Sequence, residues 1–107
     1  MEITTARVVN STQLELVLLS YEIIIDDIEK NILAAKDSRK VDLTNAKNFL
    51  RNLRDAVDKK YDLSKRLISI YDYVSEILTK CEITTSDERR EETLTEAKSI
   101  ITRLYDS

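Results

Sequence analysis

Tyr61-Asp62-Leu63-Ser64-Lys65-Arg66-Leu67-Ile68-Ser69-Ile70-Tyr71-Asp72-Tyr73-Val74-Ser75-Glu76-Ile77-Leu78-Thr79-Lys80-Cys81 is the stretch that decides the fold. At about 100° per residue, Leu63, Leu67, Ile70, Tyr71, Val74, Ile77, Leu78 and Cys81 share about a third of a helix circumference, the width of a core-facing stripe. Lys65, Arg66, Asp72, Glu76 and Lys80 fall outside it. The spacing predicts an amphipathic helix with one buried face.

The neighbouring segments carry the same period. Thr12 and Glu15 have the spacing of a capping box, and Leu14, Leu18, Tyr21, Ile25, Ile28 and Ile32 follow as a seam with spacings of 4 and 3. This first helix is expected to end near Lys36, followed by the connection Asp37-Ser38-Arg39-Lys40. Leu43, Ala46, Phe49, Leu50, Leu53, Ala56 and Val57 mark a second helix whose other face is Lys47, Asn48, Arg51, Asn52, Arg54 and Asp55. The second turn falls between Val57 and Tyr61. Glu82-Ile83-Thr84-Thr85-Ser86 makes the third connection, with Thr85 and Glu88 as a further capping box, and Leu94, Ala97, Ile100, Ile101, Leu104 and Tyr105 form the stripe of a fourth helix.

The chain of 107 residues has no glycine and no proline, which removes the usual material of tight β-turns and left-handed corners. Positive-φ positions are then expected at Asn, Asp or Lys. The expected fold is all-α: an antiparallel up-down-up-down four-helix bundle at residues 11–107, forming one domain, preceded by a flexible arm at 1–10. The arm lacks helical periodicity and carries Ile3, Val8 and Val9.

The same composition excludes most chemistry. With no histidine and a single cysteine, Cys81, the chain lacks the commonest general base, Ser-His-Asp and Cys-His pairs, Glu-x-x-His iron sites and a zinc ligand set. Without glycine there is no phosphate-cradling loop. Asp26, Asp27 and Glu29 flank an apolar stripe in the pattern of an exposed helix face. No enzyme and no cofactor are expected. The net charge of −3, from 17 basic and 20 acidic residues, is spread along the chain; the pairs Arg39-Lys40, Lys59-Lys60 and Arg89-Arg90 each lie beside acids, so a nucleic-acid partner is not expected. No apolar run approaches the length of a membrane span, and no signal-peptide pattern precedes the first helix, which predicts a cytosolic protein without membrane insertion.

Function must then lie in apolar residues that the core does not use. Leu16, Leu19 and Ile23 cluster on the first helix away from its seam. On the third helix Tyr61 and Ile68 lie off the main stripe, and Tyr73 stands at its margin. Aligned residues of this kind serve packing within the bundle, a homodimer, or a groove for a foreign amphipathic helix. Periodicity alone leaves the three open.

Two stretches resemble the FliS family of flagellar secretion chaperones. Leu67-Ile68-Ser69-Ile70-Tyr71-Asp72-Tyr73, preceded by Tyr61 to Arg66, is similar to the family's third helix with its leucine and Tyr-Asp-Tyr triplet. Thr12 to Glu22 is similar to the start of its first helix through Glu15, Leu16, Val17 and Tyr21. The layout agrees over residues 12–105. Gln13, where the family has proline, Ser20, where it has leucine, and Ile23 and Ile24, where it has small residues, depart from the pattern.

The resemblance implies a cytoplasmic chaperone that binds the C-terminal region of flagellin, prevents premature polymerisation and delivers its client to the export gate. Its client contacts would be drawn from Leu16, Leu19, Ile23, Tyr61, Ile68, Tyr71 and Tyr73. Val8 and Val9 of the arm would stand in for client side chains when none is bound. The competing expectation is a self-associating helical scaffold with no flagellar client.

Overall fold

The structure, a computed structural model, describes residues 13–57 and 62–106. These form helices α1 (Gln13–Lys36), α2 (Thr44–Ala56), α3 (Asp62–Ile83) and α4 (Asp87–Asp106), with no strand among the described residues. α1 packs against α2 and α4, and α3 against the same two helices. This arrangement is the antiparallel four-helix bundle that the apolar periods require. The arm at 1–10, Thr12 of the first capping box and Tyr61 lie outside the described residues.

A single core runs down the bundle axis. Ile24, Ile28, Leu43, Leu50, Val74, Leu78, Cys81, Leu94 and Ile101 are fully buried within it. On α1 the innermost row is Tyr21, Ile24, Ile28, Asn31 and Ala35, which keeps Tyr21 and Ile28 of the expected seam and adds Ile24, Asn31 and Ala35. Leu18, Ile25 and Ile32 pack at the margin of the core, because this side of α1 turns toward α4. From the same side Glu22 accepts a hydrogen bond from the Tyr105 hydroxyl at 2.6 Å, and Glu29 pairs with Lys98 at 3.0 Å. Ile24, a bulky departure from the FliS pattern, is therefore a core residue.

Further expectations are corrected at helix ends. Leu63 has the angular position of a core residue but is 63% exposed, because it stands in the first turn of α3, beyond the packed core. Ala56, in the last turn of α2, is likewise exposed. α3 continues through Glu82 and Ile83, shortening the third connection. α4 begins after Ser86, whose hydroxyl accepts from the Arg89 amide at 3.4 Å, so Thr85 is not its cap.

The positive-φ corner falls on a serine. Ser38, at φ 57°, follows α1, and the amides of Ser38 and Arg39 donate to the carbonyls of Ala35 and Ala34. That pair of bonds is a Schellman ending, which normally uses glycine. Without one, the Ser38 hydroxyl donates to Asp87 at 2.7 Å and ties the corner to α4.

The start of α2 is held by carboxylates from elsewhere. Leu43 precedes the helix and makes no side-chain cap. Instead Glu82 of α3 accepts from the Leu43 amide at 3.0 Å, Asp42 from Thr44 at 3.1 Å, and Asp27 of α1 from Ala46 at 3.1 Å. Negative charge at these amides is favoured by their unpaired N–H groups and by the helix dipole. Asp27 is thus a structural cap, half-buried rather than on the exposed face expected from its neighbours. Desolvation is the largest influence on it and raises its pKa, opposed by the Ala46 hydrogen bond.

Candidate functional site

The off-stripe apolar residues flank α2 on two sides. On α1, Leu16, Ile23 and Asp27 fall within about 40° of one another at 3.6 residues per turn. Since Asp27 reaches the first turn of α2, this row runs along the α2 side of α1. Leu19 lies farther round toward solvent. Leu16 is 39% exposed, and Leu19 and Ile23 are half-buried; none of the three belongs to the core or to the residues packed on it. Their uncovered surface forms a strip beside the α1–α2 seam.

Ile68 belongs to a second row. It shares a face of α3 with Asp72, Ser75 and Thr79, which line the cleft between α2 and α3. Ile68 is half-buried and continues that wall toward the start of α3. Tyr73 faces the other way. At 45% exposure it donates its hydroxyl to Glu96 of α4 at 2.8 Å, and that carboxylate raises its pKa.

Tyr71 is a core residue, not a surface one. It is 2% exposed, and its hydroxyl lies 2.6 Å from that of Tyr21. Burial is the main reason that both phenols have raised pKa values. The structure therefore divides the expected contact residues among two rows beside α2, one position on the α3–α4 side and one in the core.

Sequence reasoning missed Asn31, which stands among Ile28, Ala35 and the loop before α2 at 6% exposure. Its side-chain amide donates to the carbonyls of Asp27 and Asp42 at 2.8 and 3.0 Å, and accepts from the Asp42 amide at 2.8 Å. The available signal was its spacing, three residues after Ile28 and four before Ala35.

The buried Cys81 thiol contacts the Arg90 carbonyl at 3.8 Å, and burial pushes its pKa up to about 11. It is held as a thiol rather than as a reactive thiolate. No group of three potential metal ligands occurs among the described residues. No described helix is long and apolar enough to cross a membrane.

Apolar rows outside the core of a helical bundle are surfaces on which a further helix can pack. The sequence model for flagellar protein FliS matches residues 3–107, so the chain belongs to that family and is a flagellar protein of the FliS chaperone class. Comparison with curated proteins and with solved structures gives no match.

Proposed function

We propose that this protein binds the C-terminal region of flagellin in the cytoplasm, holds it unpolymerised and delivers it to the flagellar export gate. The observation that carries this reading is the Leu16–Leu19–Ile23 strip, apart from the core, with Leu16 exposed and its two neighbours half-buried, in a chain of the FliS family. An amphipathic client segment would bury its apolar face there as it folds, offsetting part of its ordering cost. Ile68 would supply a second contact across α2, with Tyr61 and Tyr73 as further candidates. Tyr71, being buried, would support this surface from the core.

The experiment is titration of a flagellin C-terminal peptide into wild type, Leu16→Glu and Ile23→Glu, with helicity monitored by circular dichroism. Wild type is expected to form a one-to-one complex, and each variant to lose at least about tenfold in affinity through loss of apolar contact. Concentration-dependent self-association of wild type without peptide binding would favour the scaffold reading. Unchanged affinity in both variants would remove the strip from the client site. If Val8 and Val9 compete with the client, deletion of residues 1–10 raises affinity; an unchanged dissociation constant rejects that role for the arm.

A further inference from the structure

α2 is the only described helix with more bases than acids. Lys47, Arg51 and Arg54 stand against Asp55 alone, whereas acids outnumber bases on α1, α3 and α4. Spaced i, i+4 and i+7, the three cations form one row about 10 Å long at 1.5 Å per residue. All three line the cleft between α2 and α3, whose volume is about 450 Å³. A locally positive cleft thus lies on a chain whose net charge is −3.

The ends of this row are engaged, but its centre is free. Lys47 pairs with Glu82, and Arg54 with Asp72 at 2.7 Å. Arg51 is exposed, and its side chain has no hydrogen bond or ion pair among the described residues. Both partners in the Arg54–Asp72 bridge are also substantially exposed. Such surface pairs contribute little net stability, so Arg54 can exchange Asp72 for another carboxylate at little cost. Ser75 adds a polar group to the opposite wall, and half-buried Ile68 extends it.

We propose that the α2–α3 cleft is a docking site for an acidic peptide segment, whose carboxylates pair with Arg51 and Arg54 while an apolar neighbour meets Ile68. Arginine provides forked donors for a carboxylate, and a peptide helix can present acids at the i, i+4 and i+7 spacing of the cations. A nucleic-acid strand fits less well: no aromatic residue among the described ones lines the cleft for base stacking, and Asp72 and Glu82 would repel a continuous phosphate backbone. This site lies apart from the Leu16–Leu19–Ile23 strip and shares only Ile68 with the proposed client surface; its cationic row does not depend on the identity of the client.

The test uses fluorescence anisotropy of the full chain with a labelled alanine-rich helical peptide carrying glutamates at i, i+4 and i+7 and an adjacent leucine. Its glutamine twin and an oligothymidylate serve as comparison probes. The glutamate peptide is expected to bind wild type at least about tenfold more tightly than its twin and to lose at least about tenfold with Arg51→Glu. Lys80→Glu, the same charge change on the exposed surface of α3, should retain nearly all the affinity. Arg51→Gln is a second variant, and melting curves establish folding of every variant. Failure of the glutamate peptide to bind wild type, equal binding by its twin, insensitivity to both Arg51 changes, equal losses in Arg51→Glu and Lys80→Glu, or equally tight Arg51-sensitive oligothymidylate binding would each overturn the proposal.

Discussion

The hydroxyl oxygens of Tyr21 and Tyr71 meet 2.6 Å apart inside the bundle, joining α1 to α3 across its diagonal. The rings are tilted at 52°, with centroids 6.4 Å apart. Each phenol therefore satisfies the other in a region lined by aliphatic side chains. Removing one hydroxyl leaves its partner desolvated, at a cost of about 1–3 kcal/mol, whereas removing both deletes the polar demand as well. Tyr21→Phe and Tyr71→Phe should each lower the urea midpoint, and the double variant should lie closer to wild type than the sum of the two losses. Additive losses in this double-mutant cycle would show that the contact has no coupling energy.

Asn31 fastens the loop before α2 to α1 through its bonds with Asp42. Asn31→Ala is expected to cost about 2 kcal/mol because it frees backbone groups in a partly buried place. Asn31→Asp keeps an acceptor for the Asp42 amide but loses both side-chain donations, so comparable destabilisation is expected. Hydrogen exchange at Asp42 and in the first turn of α2 should accelerate in both variants. Protection equal to wild type would refute the anchoring role.

Alkaline pH should weaken the fold. Tyr21 and Tyr71 have raised pKa values chiefly through burial, and Tyr73 and Tyr105 through hydrogen bonds to Glu96 and Glu22. Above the usual tyrosine value of 10.0, the unfolded chain releases these protons before the folded one does. Stability contributed by the four groups is present below that pH and is lost as pH rises through their folded values. Unfolding midpoints from about pH 9 to 11 should decline, with a shallower slope in Tyr73→Phe and Tyr105→Phe. A flat profile contradicts this linkage.

Cys81 should resist alkylation while the bundle is folded. Its thiol is buried and its pKa is raised to about 11, so few thiolates exist near neutral pH. Reaction with a thiol reagent at about pH 8 is expected to be at least about 100-fold slower in buffer than in denaturant. Comparable rates would show that the thiol is accessible in the native protein.

The fold was legible because four apolar periods dominate a chain without glycine or proline. Core positions such as Tyr71, Val74, Leu78, Leu94 and Ile101 follow from spacing alone. The inner face of α1 was less legible: Ile24, Ile25, Ile28 and Ile32 make its apolar surface wide, and packing decides which residues turn inward. Ser38 was hidden because its corner depends on tertiary support from Asp87. At the candidate site, uncovered Leu16 was readable as an off-stripe leucine, whereas the opposite directions of Ile68 and Tyr73 became visible only when Asp72 and Glu96 identified their neighbouring helices.

The shortest rod is also the one that borrows its anchorage. α2 spans 13 residues, a length at which an isolated helix is marginal in water, and its opening amides rest on Asp27 and Glu82 from the flanking helices. Its stability therefore depends on both neighbours being in position. The wall shared by the oily strip and the cationic channel is thus only as firm as the helices on either side of it.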